Sequence, residues 1–389
     1  MRLMHYLYTH EELDVATRSS LNGFARSAKI YGRSKMKVNE LRDALRERLP
    51  PREGTSPGLF VELCAGTAAV SLQLHREGAR PPVSRMGSKR GYAIAVLHAL
   101  GLYPGLQADR YLWCEPDDGC RLLLETYRDH DLALKVAEII RGWKDEDPRS
   151  LWERLRKEGP VKAPTPREVA RWCLVKGWWI GGHSGRFGGE VIVSPGGGKH
   201  IPVTPEGYAR RVEDLPTPPA EIKEEAVDPR EVARSLVVDA WAFRAGNPDS
   251  GYNKSEAEGH PNSCKYPRSC LIISEETTSL PTLPAEVTDG AVEPPLLPPH
   301  TVVYIDPPYV NTTGYKHDLP RERVVELALA WYAAGAKVAI SEQEAIPELI
   351  AQGWTAVDIT DKRLGQKRTF SNQQKEYLTL SPGAQCSHL

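Results

Sequence analysis

The chain has 389 residues, 50 basic and 51 acidic side chains and a formal net charge of −1. That length holds one large domain with insertions or two domains, and the balanced charge excludes capture of a polyanion by a global field, so a nucleic acid would have to be met by local basic patches. The 7 cysteines are odd in number and scattered, which speaks for reduced thiols in a cytosol and against a disulfide framework.

The first 57 residues form a lead-in. Glu11 and Asp14 make its start unlike a signal peptide, and no apolar run reaches membrane-spanning length. A cytoplasmic protein without membrane contact, monomeric by default, is expected. Val38, Leu41, Leu45 and Leu49 recur at helical spacing until Pro50-Pro51 stop them. Arg26, Lys29, Arg33, Lys35 and Lys37 precede that helix, as a solvated face or a phosphate-contacting arm.

Gly58-Leu-Phe-Val-Glu-Leu-Cys-Ala-Gly-Thr-Ala-Ala-Val-Ser-Leu predicts a strand ending near Glu62, a tight turn at Gly66 and a helix ended by Gly78. Strand, small-residue turn and helix N-terminus make a nucleotide-type cradle, with backbone N–H groups free to point at a ligand. Arg85-Met-Gly-Ser-Lys-Arg leads into a helix carrying Tyr92, Val96, Leu97 and Leu100, and Tyr111–Glu115 is a strand ending in an acid.

From Cys120 to about Trp179 the pattern is helical. Thr165-Pro-Arg-Glu and Asp228-Pro-Arg-Glu each offer an N-cap, a proline at the first position and an acid in the first turn. Pro-Arg-Glu-Val-Ala-Arg occurs at 166–171 and again at 229–234, and shared capping preference accounts for it. The loop Ser194-Pro-Gly-Gly-Gly-Lys-His is not a P-loop, because Val193 and His200 stand where Gly and Ser or Thr are needed. It reads as a surface loop or a nucleic-acid loop. Trp172, Trp178, Trp179 and Phe187 beside Arg171, Arg186 and Lys199 fit a core or a base-stacking surface. His260, Cys264 and Cys270 lack the spacing and the fourth ligand of a zinc site, and no metal is expected. Pro281 to Pro299 reads as a linker.

Val302-Val-Tyr-Ile is a short buried strand that stops at Asp306-Pro307-Pro308-Tyr309, since neither proline supplies a backbone N–H to a ladder. The chain then leaves the sheet with a carboxylate, rigid carbonyls and a ring displayed at the strand's C-terminal end, where ligands bind in open α/β sheets. A helix opened by Asp318 and Pro320, the strand Lys337–Ser341, a short helix to Gln352, and the strands Trp354–Ile359 and Glu376–Leu380 follow. Lys362, Arg363, Lys367 and Arg368 lie between the last two, as solvated charge or phosphate contacts.

Asp-Pro-Pro-Tyr after an apolar strand, with the Glu62–Gly66 turn and Glu115 upstream in order, resembles the Dam-like DNA adenine-N6 methyltransferases. The resemblance covers about 58–118 and 300–381. It implies a Rossmann-like methyltransferase α/β sheet, mostly parallel with an antiparallel last strand. It also implies that 119–299 is an inserted, partly helical target-recognition segment, with 382–389 a tail. S-adenosylmethionine is the implied cofactor, held by Glu62, Cys64, Ala65, Gly66, Thr67, Lys89, Glu115 and Asp306, with Glu115 on the ribose hydroxyls. Asp306, Pro307, Pro308 and Tyr309 are the implied catalytic residues. The Asp306 carboxylate and Pro307 carbonyl would accept from an exocyclic amine, and Tyr309 would stack on a flipped base. The implied partner is DNA, met by Arg85, Arg90, Arg186, Lys199, Lys362, Arg363, Lys367 and Arg368. Two departures stand out. Ala68 occupies the place of the second glycine, and the Gly87/Lys89 run follows the first strand instead of preceding it. Arg85, Lys89 and Arg90 therefore read as the cofactor segment or as a phosphate-binding loop. A cytosine-N4 or RNA enzyme shares the amine logic, and a nucleic-acid-binding protein without turnover is the reading from another class.

Overall fold

A computed structural model describes residues 18, 21, 25, 32–48, 55–83, 88–159, 165–178, 187, 191–192, 201–233, 235, 297–309, 319–363 and 375–384. The lead-in helix α1 (Val38–Arg48) buries Leu41 and Leu45 with Leu21 and Ala25 in a small core of its own.

The main fold is a seven-stranded sheet. Its strands are β1 (Phe60–Leu63), β2 (Tyr111–Cys114), β5 (Ala220–Lys223), β6 (Val302–Ile305), β7 (Lys337–Glu342), β8 (Thr355–Asp358) and β9 (Tyr377–Leu380). β3 (Val191–Ile192) and β4 (Ile201–Pro202) form a separate antiparallel pair. The sheet order is β5-β2-β1-β6-β7-β9-β8, with β5, β2, β1, β6 and β7 mutually parallel. β9 runs antiparallel to both neighbours, β7 and β8. Numbered within the sheet, this is 3-2-1-4-5-7-6, the doubly wound order with one reversed strand slipped in before the edge. The expectation of a mostly parallel sheet with an antiparallel last strand is met.

Burial explains why these stretches are strands. β1, β2 and β6 are covered on both faces, whereas the edge strands β5 and β8 are only partly buried. Alternate residues enter different cores. Phe60, Tyr111, Trp113 and Tyr304 face one helical layer, while Val61, Leu63, Leu112, Val303 and Ile305 face the other.

The first layer holds α2 (Ala69–His75), α3 (Ala93–Ala99), α4 (Asp118–Arg128), α5 (His130–Gly142), α6 (Pro148–Lys157), α7 (Pro166–Gly177) and α8 (Pro205–Glu213). Asp117, Asp129, Asp147, Thr165 and Thr204 cap the last five, each accepting from a backbone N–H of the first turn. The second layer holds α9 (Arg321–Ala333) and α10 (Pro347–Ile350), where Trp331 donates its indole N–H to the Val227 carbonyl at 3.1 Å.

One expectation needs correction. The boundary at residue 118 falls inside the fold: α4 to α8 share the core of the sheet's first face, and β5 pairs with β2 as an edge strand. α5 packs chiefly against α7 and α8, and α4 lies along β5. Trp172 and Trp178 belong to the same core, and Arg171 is held by Glu168 and the Leu155 carbonyl. None of the three forms a base-stacking surface. Trp179, the loops with Arg186 and Lys199, residues 281–296 of the expected linker and the 260–270 Cys/His group lie outside the described residues. Among the described residues no helix is long and apolar enough to cross a membrane, and Cys64, Cys114, Cys120 and Cys173 are free thiols.

The tightness of this helical layer is testable. A Cβ built on Gly119 would overlap the Trp172 indole, whereas one on Gly142 meets nothing within 4 Å. Gly119→Ala is expected to lower stability by about 1–3 kcal/mol, and Gly142→Ala to raise it by about 0.4–1 kcal/mol, both by urea unfolding.

Candidate active site

Parallel strands deliver their C-terminal ends to one edge, and the polar residues of this chain collect there. β1 ends at Leu63 and runs into a turn with three left-handed residues, Cys64 (φ 59°), Gly66 (φ 55°) and Ala68 (φ 46°). Left-handed backbone costs a non-glycine residue about 1–2 kcal/mol. At Ala68 burial of the methyl group returns about 0.8 kcal/mol, because the residue is fully buried in the first-face core. Alanine is thus tolerated where glycine was expected, with its side chain spent on packing.

Glu62 is turned into the interface between sheet and helix. Its carboxylate accepts from the Ser71 N–H at 3.1 Å and the Ser71 hydroxyl at 2.5 Å, and the hydroxyl accepts from the Trp113 indole at 2.9 Å. It anchors α2 and so sets the turn. Burial, with Asp306 adding to it, pushes its pKa up to about 8. Glu115, at the end of β2, accepts from the Gly66 N–H at 2.6 Å and the Asp117 N–H at 2.9 Å, one on each oxygen. The Ala65 N–H donates to the Cys114 carbonyl at 2.9 Å, and the hydroxyls of Thr67 and Ser88 lie 3.2 Å apart.

Asp306 ends β6, and its N–H donates to the Leu63 carbonyl at 3.1 Å, which sets the Asp-Pro-Pro-Tyr segment directly beside the Gly66 turn. Its Oδ1 lies 2.5 Å from Lys89 Nζ. Burial pushes the Asp306 carboxyl up to about 7, against the pull of that ammonium, while Glu376 and Glu342 push it further up. The Lys89 ammonium also lies 3.5 Å from Glu376 Oε1 and 4.6 Å from the centre of the Tyr309 ring. Tyr309 donates its hydroxyl to Glu376. Burial, Asp306 and Glu376 hold the Tyr309 phenol well above its ordinary pKa, so it stays a donor. Glu342 closes the group at the end of β7, its pKa raised by burial, with Arg321 at 3.9 Å.

The structure thus brings together Glu62, Cys64, Ala65, Gly66, Thr67, Lys89, Glu115 and the Asp306–Tyr309 segment at one edge. Glu62 holds the frame there, its carboxylate fully turned inward. The Lys89 ammonium faces the Asp306 carboxylate. Arg90 is next to it on the 3-10 turn Lys89–Gly91. Lys362 and Arg363 follow β8 on the same edge, just beyond Thr360, whose hydroxyl accepts from the Glu376 N–H at 2.8 Å. Arg85, Arg186, Lys199, Lys367 and Arg368 lie outside the described residues.

Glu376 and Glu342 are the site residues that the sequence reading missed. The signal for Glu376 was available: a reversed last strand starts at the edge where its parallel neighbours end, so an acid just before it arrives beside Asp306. Among the described residues no group of His, Cys, Asp and Glu is arranged to hold a metal ion. Compared with known proteins, the chain matches no family model and no curated protein.

Glu62 gives a pH test. Its folded pKa of about 8 lies above the ordinary 4.5, so its stabilising contribution is complete below about pH 4.5 and is lost as pH rises through about 8. Glu62→Gln keeps an acceptor for Ser71 and stays neutral. The variant is expected to gain on the wild type in urea midpoint between pH 5 and 9, and a constant difference would refute the burial of a titrating carboxyl.

Proposed function

We propose that the protein transfers a methyl group from S-adenosylmethionine to the exocyclic N6 amine of adenine in DNA. The observation that carries this is the direct link between the Asp306-Pro307-Pro308-Tyr309 segment and the Gly66 turn, through adjacent, in-register strands β1 and β6. Amine acceptors and a nucleotide-type cradle are then neighbours at the C-terminal edge of one sheet.

The donor set fits the cofactor. Glu115, which ends β2 and accepts from the Gly66 N–H, is the acid that would meet the ribose hydroxyls, and a Cβ on Gly66 would meet nothing within 4 Å, so the turn leaves room for close approach. When bound, S-adenosylmethionine would supply a methyl group already activated on a sulfonium. Cys64, Gly66, Thr67 and Glu115 would hold it.

The protein's task is then to make a poor nucleophile attack. An adenine amine has its lone pair delocalised into the ring. Asp306 and the Pro307 carbonyl would accept its two hydrogens and favour the tetrahedral nitrogen. Once the amine nitrogen had taken the methyl group that the cofactor would supply, it would have to lose one N–H proton, and Asp306 would be the acceptor for it. An acceptor with a pKa of about 7, as at Asp306, is matched to taking that proton near neutral pH. Tyr309 would face the base, and Arg90, Lys362 and Arg363 would meet phosphates. Cytosine N4 is a second acceptor that the same amine geometry would serve. The burial of Ala68's methyl group weakens the reading as a binding protein without turnover.

Asp306→Ala is expected to lower kcat by about 100-fold or more while S-adenosylmethionine still raises the melting temperature. In the wild type, kcat should climb with pH through about 7 as Asp306 ionises. Wild-type turnover by the Asp306 variant would remove the assignment, and the absence of any thermal shift with S-adenosylmethionine in the wild type would favour a binding protein.

A further inference from the structure

Lys89 Nζ lies 2.5 Å from Asp306 Oδ1, a nitrogen donor on the carboxylate proposed to receive one. An amine that bound on that oxygen would displace the ammonium, whose side chain is only 5% exposed. A buried ammonium without a counter-charge is strongly unfavourable.

Glu376 is placed to receive it. Its Oε1 is 3.5 Å from the same Nζ, and its side chain is 0% exposed, against 18% for Asp306. The amine would therefore arrive on the Asp306 side, with Glu376 behind the ammonium. Closing the 3.5 Å gap to the ~2.8 Å of a charge-assisted hydrogen bond is a small swing for a flexible lysine stem. Glu376 itself is fixed. Its N–H donates to the Thr360 hydroxyl at 2.8 Å, its carbonyl accepts from the Ile359 N–H at 2.8 Å, and its carboxylate takes the Tyr309 hydroxyl. The Tyr309 ring, 4.6 Å from the ammonium, lines the path between the two acids.

We infer that Glu376 is a positioning residue of this reaction, the carboxylate onto which Lys89 turns when the substrate amine takes its place on Asp306. This rests on the methyl-transfer reading. A fixed negative charge is what the role requires. Glutamine at 376 would still accept from Tyr309 but would leave Lys89 bound to Asp306, in competition with the amine.

The test is a cycle in the full chain: Glu376→Gln, Lys89→Met and the double variant, with Glu376→Asp as the charge-preserving change. Transfer of tritiated methyl groups to DNA gives kcat and KM, and thermal shift with S-adenosylmethionine reports cofactor binding. Glu376→Gln should lower kcat about 10-fold or more with cofactor binding retained. In the Lys89→Met background the same change should alter kcat less than about 2-fold, because no ammonium remains to be received. Glu376→Asp should recover most of the activity that Gln loses. Wild-type kcat in Glu376→Gln, equal losses with and without Lys89, or Asp no better than Gln would each overturn the inference while leaving methyl transfer intact. A wild-type protein that methylates no nucleic acid would overturn the parent reading and this inference with it.

Discussion

Lys89 reaches from the turn before α3 to sit between Asp306 at the end of β6 and Glu376 at the start of β9. Three segments far apart in the chain meet through that one ammonium. Two carboxylates taken out of water beside each other would repel and neutralise, and the cation between them lets both remain in a buried site. Burial still dominates at Asp306, whose pKa stands near 7 in spite of its neighbour. The site is thus held close to a change of protonation, the condition in which a carboxylate both accepts from an amine and takes its proton.

The sheet makes that meeting possible. Five parallel strands point their C-terminal ends at one edge, the place where ligands bind in open α/β sheets. The reversed β9 then brings the start of a strand to the same edge, and with it Glu376. Hydrogen bonds across the edge fix the parts to one another: Asp306 to Leu63, Gly66 to Glu115, Ala65 to Cys114. The helices from α4 to α8 support this frame from within the same core, so a packing change at Gly119 or Trp172 bears on the fold that carries the site.

Much of the frame was legible from sequence because its causes are local. Apolar runs ending at Glu62, Glu115 and Asp306 gave the central strands, prolines and glycines gave their limits, and Thr165 gave a helix start that the structure caps through its hydroxyl. The edge strand β5 was missed. Ala220-Glu-Ile-Lys is short and alternates polar with apolar residues, and only pairing with β2 makes it a strand. The extent of the first-face core was missed for a related reason: an amphipathic helix shows that it has a buried face, never what covers it. Glu62 looked like a cofactor ligand because it ends a strand, and only the position of Ser71 reveals its inward turn. Glu376 stayed hidden because its importance lies in topology, and nothing in its immediate neighbours marks it.

The central claim is that the acceptor at Asp306 is an adenine amine. Incubating the protein with DNA and isotopically labelled S-adenosylmethionine, then digesting the DNA and identifying the labelled nucleoside, tests it most directly. Label in N6-methyladenine is the predicted result. Label in N4-methylcytosine would keep the amine chemistry and reject adenine, and unlabelled DNA after incubation with a protein that binds S-adenosylmethionine would contradict the account.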